Sequence, residues 1–138
     1  MLERILVAID GTDYSWRALE FAAHLAEKCG SSLAIMTVEK EDTDIAIFSG
    51  KDEDAPDQVG DEVLNAACTL MEGKGVECSY LLERGGKVAD KIIAVEKMER
   101  CDAIVLGSRG LGVLEGLIKR SISQEVVENA DVPVIVVK

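Results

Sequence analysis

A glycine-rich stretch follows one of the short apolar runs of the chain, and it could bind an anion. The apolar run 103–106 leads into the stretch 107–110, and a helix is predicted to start at Ser121. Glycine lacks a Cβ, so Gly107 and Gly110 allow positive φ and a close approach of the backbone to a ligand. A helix start adds unpaired N–H groups and partial positive charge. These features favour phosphate binding, with a tight turn as the alternative.

A carboxylate ends the first apolar run. Asp10 follows residues 5–9, where it could accept hydrogen bonds from a ribose hydroxyl or a nucleobase amine, or hold a metal ion. The alternative is helix capping, in which Asp10, Thr12 or Asp13 accepts bonds from the first N–H groups of the next helix. The residues themselves leave both interpretations open.

Other chemistries lack their motifs. The chain has neither the Gly-x-Gly-x-x-Gly pattern after the first strand nor a Walker or Gly-x-Ser-x-Gly motif. Its one histidine, His24, falls in the middle of a predicted helix and is expected on the surface. No Cys-x-x-Cys pair occurs, so we predict reduced, mostly buried thiols. Catalytic residues are not predicted.

The elements that must position these residues alternate between strand and helix. Apolar runs predict strands at 5–9, 33–38, 76–82, 103–106 and 133–137, and helical periodicity predicts helices at 14–28, 57–72, 87–99 and 121–130. Ser121 and Gln124 match a capping box, which supports the last helix start. This order predicts an α/β fold in one domain, an open parallel sheet with helices on both faces. Ligands bind such sheets beyond the carboxyl ends of the strands, where the strand order reverses.

The negative charge is concentrated in one segment. The formal net charge is −11, yet residues 39–62 contain ten acids against two lysines, which leaves −3 for the rest. Residues 39–57 lack sustained periodicity and are predicted to be an acidic, mobile loop. Nucleic-acid binding through a general basic surface is disfavoured. Apolar runs too short for a membrane span and an N-terminus without signal-peptide features predict a cytoplasmic protein.

Three stretches together resemble the universal stress protein family: residues 4–12, 102–110 and 121–137. The resemblance implies a Rossmann-like five-stranded sheet of order 3-2-1-4-5, in which strands one and four are neighbours. It also implies a stress-response homodimer that pairs through its last strands, for which the candidate residues are Val134, Ile135, Val136 and Val137.

ATP-binding members of that family have the motif Gly, two residues, Gly, nine residues, Gly, then Ser or Thr. Gly107, Gly110 and Ser121 match it, whereas Arg120 occupies the position of the last glycine. By the family pattern Asp10 contacts the ribose or adenine, Val38 bonds the adenine through its backbone, and the serines hold phosphate. The implied ligand is ATP or AMP, with Mg²⁺ as a candidate companion and slow hydrolysis at most. The implied site consists of Ala8, Asp10, Val38, Gly107, Arg109, Gly110, Arg120, Ser121, Ile122 and Ser123.

Arg120 gives two physical alternatives. If its position needs positive φ, arginine costs ~1–2 kcal/mol of strain and its Cβ obstructs the phosphates. Otherwise its guanidinium, with Lys119 or Arg109, holds phosphate by charge-assisted hydrogen bonds. The first alternative leads to a second functional hypothesis, a dimeric interaction module that binds no nucleotide and recruits a protein partner through its acidic loop.

Overall fold

Strands and helices alternate along the chain in the computed structural model, which describes residues 2–40, 59–108 and 121–138. The elements are β1 (Arg4–Ala8), α1 (Asp13–Cys29), β2 (Ser32–Glu39), α2 (Val59–Met71), β3 (Cys78–Arg84), α3 (Val88–Glu99), β4 (Ala103–Gly107), α4 (Ile122–Asn129) and β5 (Val134–Val137). Each corresponds to a predicted element. The largest difference is at β3, which begins and ends two residues later than predicted because its pairing with β2 runs from Cys78 to Arg84.

The five strands form one sheet in the order β3-β2-β1-β4-β5, and every pairing is parallel. This confirms the predicted fold class and strand order. The register sets Ala8 of β1 opposite Met36 of β2 on one side and opposite Leu106 of β4 on the other. Strands β1 and β4 are therefore neighbours, and their carboxyl ends meet at one edge of the sheet.

The side chains of the sheet alternate between two buried layers, because successive residues of a strand point to opposite faces. Ile5 and Val7 of β1 pack in a cluster with the apolar stripes of α1 and α2. Leu6 packs in a second cluster with residues of α3 and α4. Two helices therefore cover each face, as the near-continuous apolar runs of the strands predict.

Polar contacts stabilise the amino edge of the sheet, where the parallel strands begin. Asp102 accepts hydrogen bonds through Oδ2 from the backbone N–H of Glu3 at 2.7 Å and of Arg4 at 3.0 Å, and these bonds hold the pKa of its carboxyl below the ordinary value. The guanidinium of Arg4 donates to Ser79 and Glu99, each at 2.8 Å. The beginnings of β1, β3 and β4 are thereby joined to the end of α3.

The cysteines are free thiols, but the prediction that most are buried is wrong. Only Cys101 is buried; Cys78 is half-buried, and Cys29 and Cys68 are exposed. Cys29 is exposed because it is the last residue of α1, beside the C-cap glycine, and Cys68 lies beside the buried stripe of α2 rather than within it. His24 is exposed on α1, as expected.

Two predicted features lie outside the described residues. Nearly all of the acidic loop predicted at 39–57 is among them, as are Arg109, Gly110 and Arg120 of the implied site. In the parts of the chain that the structure does describe, no helix is long and apolar enough to span a membrane.

Candidate functional site

The candidate site lies where the order of the strands reverses. From β1 the chain continues through α1 to β2 on one side, whereas β4 pairs on the other side. Open parallel sheets bind ligands in a crevice at such a point, which here lies between the carboxyl ends of β1 and β4. The loop after β1 contains Asp10, and the loop after β4 begins at Ser108.

Asp10 is exposed and fixed in place by Thr12. The Oδ1 atom of Asp10 accepts a hydrogen bond from the Thr12 backbone N–H at 3.0 Å and another from the Thr12 hydroxyl at 2.6 Å. Thr12 is itself the N-cap of α1, where its side chain accepts from the Ser15 backbone N–H at 3.3 Å. The cap is therefore Thr12, and Asp10 holds that cap from outside the helix.

This arrangement resolves part of the ambiguity left by the sequence. A carboxylate accepts about four hydrogen bonds, and Asp10 is exposed, so it can accept a bond from a ligand and keep those from Thr12. The sequence indicated Thr12 only as one of three candidate caps. The spacing Asp-x-Thr ahead of a helix also indicates that Thr12 donates to Asp10, because short polar side chains readily bond the backbone two residues ahead.

Gly107 is required for packing, and the positive φ that its residue type suggested is not observed. Its φ lies outside the left-handed region. A Cβ on Gly107 would lie 2.5 Å from the Tyr14 carbonyl oxygen and 2.9 Å from the Ser15 backbone nitrogen. The missing side chain lets the end of β4 approach the first turn of α1, which brings the Gly107 loop and the Asp10 loop to the same crevice.

Ser108 continues the pairing of the sheet beyond β4, a role that its residue type does not predict. Its backbone N–H donates to the Val137 carbonyl at 2.7 Å. This bond fixes the direction in which the chain leaves the sheet, immediately before Arg109.

Three apolar residues of the implied site lie in one layer. Ala8, Val38 and Ile122 are partly buried and pack against the cluster that contains Leu106, on the face covered by α3 and α4. These residues of β1, β2 and α4 therefore lie in the same layer of the molecule. The backbone contact from Val38 to adenine stays a prediction.

Hydroxyl groups begin α4. Ser121 is the N-cap, its Oγ accepts from the Gln124 backbone N–H at 3.2 Å, and its own N–H donates to Gln124 Oε1 at 3.2 Å. The predicted capping box is thus confirmed. The Ser123 hydroxyl lies 3.1 Å from that of Ser121. Paired hydroxyls at a helix start suit an anion, because the helix dipole and the first N–H groups favour negative charge there.

One ion pair near the site was not predicted. Glu39 ends β2, and its carboxylate lies 3.4 Å from the guanidinium nitrogen Nε of Arg84. The two residues are register partners, a relation that a single sequence does not fix. Across the ranges 2–40, 59–108 and 121–138, His, Cys, Asp and Glu side chains form no group of three or more suited to a metal ion.

Comparisons with known proteins agree with the geometry. The model of the universal stress protein family matches residues 1–138. Universal stress protein YxiE of Bacillus subtilis (strain 168) is 30% identical over 149 residues, with both chains covered completely. The solved universal stress protein from Archaeoglobus fulgidus is 28% identical, with a TM-score of 0.77 and complete coverage of both chains. A structure of the universal stress protein from the same organism in complex with dAMP is 27% identical, with a TM-score of 0.73 and complete coverage of both.

The fold, the sheet order and the family match over the whole chain point to the same relationship. The chain belongs to the universal stress protein family.

Proposed function

We propose that this protein binds an adenine nucleotide, ATP or AMP, as a regulatory ligand in the crevice between the ends of β1 and β4. The observation that carries the proposal is the placement of Asp10, an exposed carboxylate held by Thr12 next to the point where β4 packs on α1 through Gly107. A carboxylate there accepts hydrogen bonds from neutral donors such as ribose hydroxyls or the adenine amine.

The phosphates would occupy the other end of the ligand. The hydroxyls of Ser121 and Ser123 and the start of α4 provide donors and a favourable dipole for them. The Archaeoglobus fulgidus relative solved with dAMP supports adenine as the base.

The direct experiment measures nucleotide in the protein as isolated and then by titration. Freshly purified protein is denatured, the supernatant is analysed for ATP, ADP and AMP, and stripped protein is titrated with ATP and AMP in a calorimeter, with and without Mg²⁺. The proposal predicts a saturable 1:1 titration with at least one nucleotide. Absence of both bound nucleotide and saturable heat would refute it.

Arg120 decides between this proposal and the interaction module, since it replaces the last glycine of the ATP motif. If wild type binds ATP and Arg120→Gly weakens binding, Arg120 is a phosphate ligand. If wild type does not bind ATP and Arg120→Gly does, the replacement of glycine by Arg120 has removed ATP binding. The interaction module is then favoured, and the proposal for the wild-type protein fails.

The location, oligomeric state and partners of the protein are also proposed. We propose a cytoplasmic, stress-responsive homodimer that pairs through β5, an edge strand whose Val136 is 39% exposed, with an unidentified protein as a possible further partner. Hydrolysis of ATP is expected to be slow at most.

A further inference from the structure

Two thiols and one phenol meet on the face of the edge strand β3 that α2 covers. Cys68 belongs to α2, whereas Cys78 and Tyr80 belong to β3. Cys78 lies at the start of its strand, so this group is at the amino edge of the sheet. The proposed nucleotide crevice is at the carboxyl edge, and the two sites share no residue.

The packing of α2 on β3 places the two cysteines at the same level. A Cβ on Gly60 would lie 2.5 Å from Leu82 Cδ1, so the start of α2 lies over the end of β3. From Gly60 to Cys68 the helix advances by about 12 Å, at ~1.5 Å per residue. From Leu82 back to Cys78 the strand covers about 13 Å, at ~3.3 Å per residue.

The side chains also share a face. Cys78 and Tyr80 pack against the buried cluster that contains Ala67 and Met71 of α2, and Cys68 directly follows Ala67. Burial, aided by hydrogen bonding with the thiols of Cys68 and Cys78, holds the pKa of Tyr80 above its ordinary value. The phenol therefore lies in the same neighbourhood as the two thiols.

The connection between α2 and β3 is short, so the two cysteines are also close in sequence. Only residues 72–77 separate α2 from β3, and Gly73 and Gly75 have φ of +77° and +69°. Left-handed backbone of this kind is open to glycine without strain, so the chain reverses within a few residues. Cys68 and Cys78 thus lie on neighbouring elements that a short connection joins.

The two thiols differ in access. Cys68 is exposed, so a small oxidant can reach it, while Cys78 is half-buried and donates to the Val76 carbonyl at 3.4 Å. Burial raises the pKa of the Cys78 thiol, and the hydrogen bond with Tyr80 opposes that rise. Cys68 is the thiol suited to react first with a small oxidant, and Cys78 the one suited to resolve the product.

We propose that Cys68 and Cys78 are a reversible modification site, a dithiol that hydrogen peroxide converts to an intramolecular disulfide. The Cys68 thiolate attacks peroxide, an S–O bond forms and the O–O bond breaks, and the leaving hydroxide takes a proton to become water. The Cys78 thiolate then attacks the Cys68 sulfenic acid, so that an S–S bond forms and the S–O bond breaks. The second hydroxide takes the Cys78 proton. Two thiols and one peroxide give one disulfide and two waters, and a dithiol reductant reverses the change.

The test uses the full chain, reduced and freed of reductant, with one to two equivalents of hydrogen peroxide. The chain has four thiols. We expect two of them to be lost, the mass to fall by two hydrogens, and digestion to give one peptide pair that joins Cys68 to Cys78. Dithiothreitol should restore all four thiols.

Matched variants separate this pair from general thiol oxidation. Cys29→Ser removes an exposed thiol at the end of α1 and should leave the two-hydrogen loss unchanged. Cys68→Ser should abolish that loss, as should Cys78→Ser. Cys78 is half-buried, so Cys78→Ser can fold poorly; in that case Cys68→Ser alone decides the test.

Linkage between two chains, oxidation of Cys29 alone, or an unchanged two-hydrogen loss in Cys68→Ser would overturn the proposal. Nucleotide titrations are independent of either outcome.

Discussion

At the residue scale, the candidate site depends on one glycine and one carboxylate whose roles differ from what their types alone indicate. Glycine after a strand suggests positive φ, yet Gly107 is used to bring β4 against the Tyr14 carbonyl. Aspartate before a helix suggests a cap, yet Asp10 holds Thr12, which is the cap. Residue types predicted that these positions matter. The role of Gly107 lies in a contact with a distant segment, and the role of Asp10 lies in a bond to Thr12, two residues ahead.

The role of Gly107 leads to a stability prediction. Gly107→Ala must move the first turn of α1 away from β4, because its Cβ would meet backbone atoms at 2.5–2.9 Å. We expect a loss of about 1–3 kcal/mol in the free energy of unfolding, measured by urea denaturation with the fluorescence of the single tryptophan.

Gly60→Ala is the matched control. There the new Cβ meets the flexible end of Leu82, and alanine improves helix propensity by about 1 kcal/mol, so stability should stay within ~1 kcal/mol of wild type. Equal stability of Gly107→Ala and wild type would show that the contact with α1 is not tight.

At the element scale, local signals predicted the helices and strands well because each signal is contained in the element itself. The Ser121–Gln124 capping box fixed the start of α4, and the apolar runs located β1 and β4. The end of β3 was misplaced because it depends on pairing with β2 through Glu39 and Arg84. A single sequence does not contain that information.

Asp102 gives a pH prediction for the joint between β1 and β4. Its pKa is lowered by bonds from two backbone N–H groups, so the charged form stabilises the fold. That stabilisation is complete above the ordinary aspartate pKa of about 3.9 and is lost as pH falls through the lowered value.

Asp102→Asn should therefore destabilise the protein most at neutral pH, and its difference from wild type should shrink on acidification. Urea denaturation at pH 7, 5, 4 and 3 measures this difference. Asp90→Asn, which neutralises an acid in the first turn of α3, is the control. A difference that stays constant from pH 7 to pH 3 would contradict the assigned bonds.

At the scale of the whole molecule, parallel topology followed from the alternation of elements, but the strand order came only from the family resemblance. The sheet ends in two edge strands, β3 and β5, and an exposed edge can pair with a second chain. The dimer proposal can be tested there.

Val136→Lys adds a charge at the 39% exposed valine of β5 and should convert the dimer to a monomer. Sedimentation velocity at micromolar concentration measures the change. Leu70→Lys, at a 50% exposed leucine of α2, adds the same charge away from β5 and should leave the dimer intact. A monomeric wild type, or a dimeric Val136→Lys, would show that β5 is not the interface.

Calorimetric titration of stripped protein with ATP and AMP tests the proposal that Asp10 binds a nucleotide at the crevice between β1 and β4. Asp10→Ala removes the acceptor, and Asp13→Ala removes a nearby acid in the first turn of α1. We predict saturable binding to wild type and to Asp13→Ala, and a loss of at least tenfold in affinity, about 1.4 kcal/mol, for Asp10→Ala. Equal affinity of Asp10→Ala and wild type would show that the Asp10 carboxylate does not bind the nucleotide.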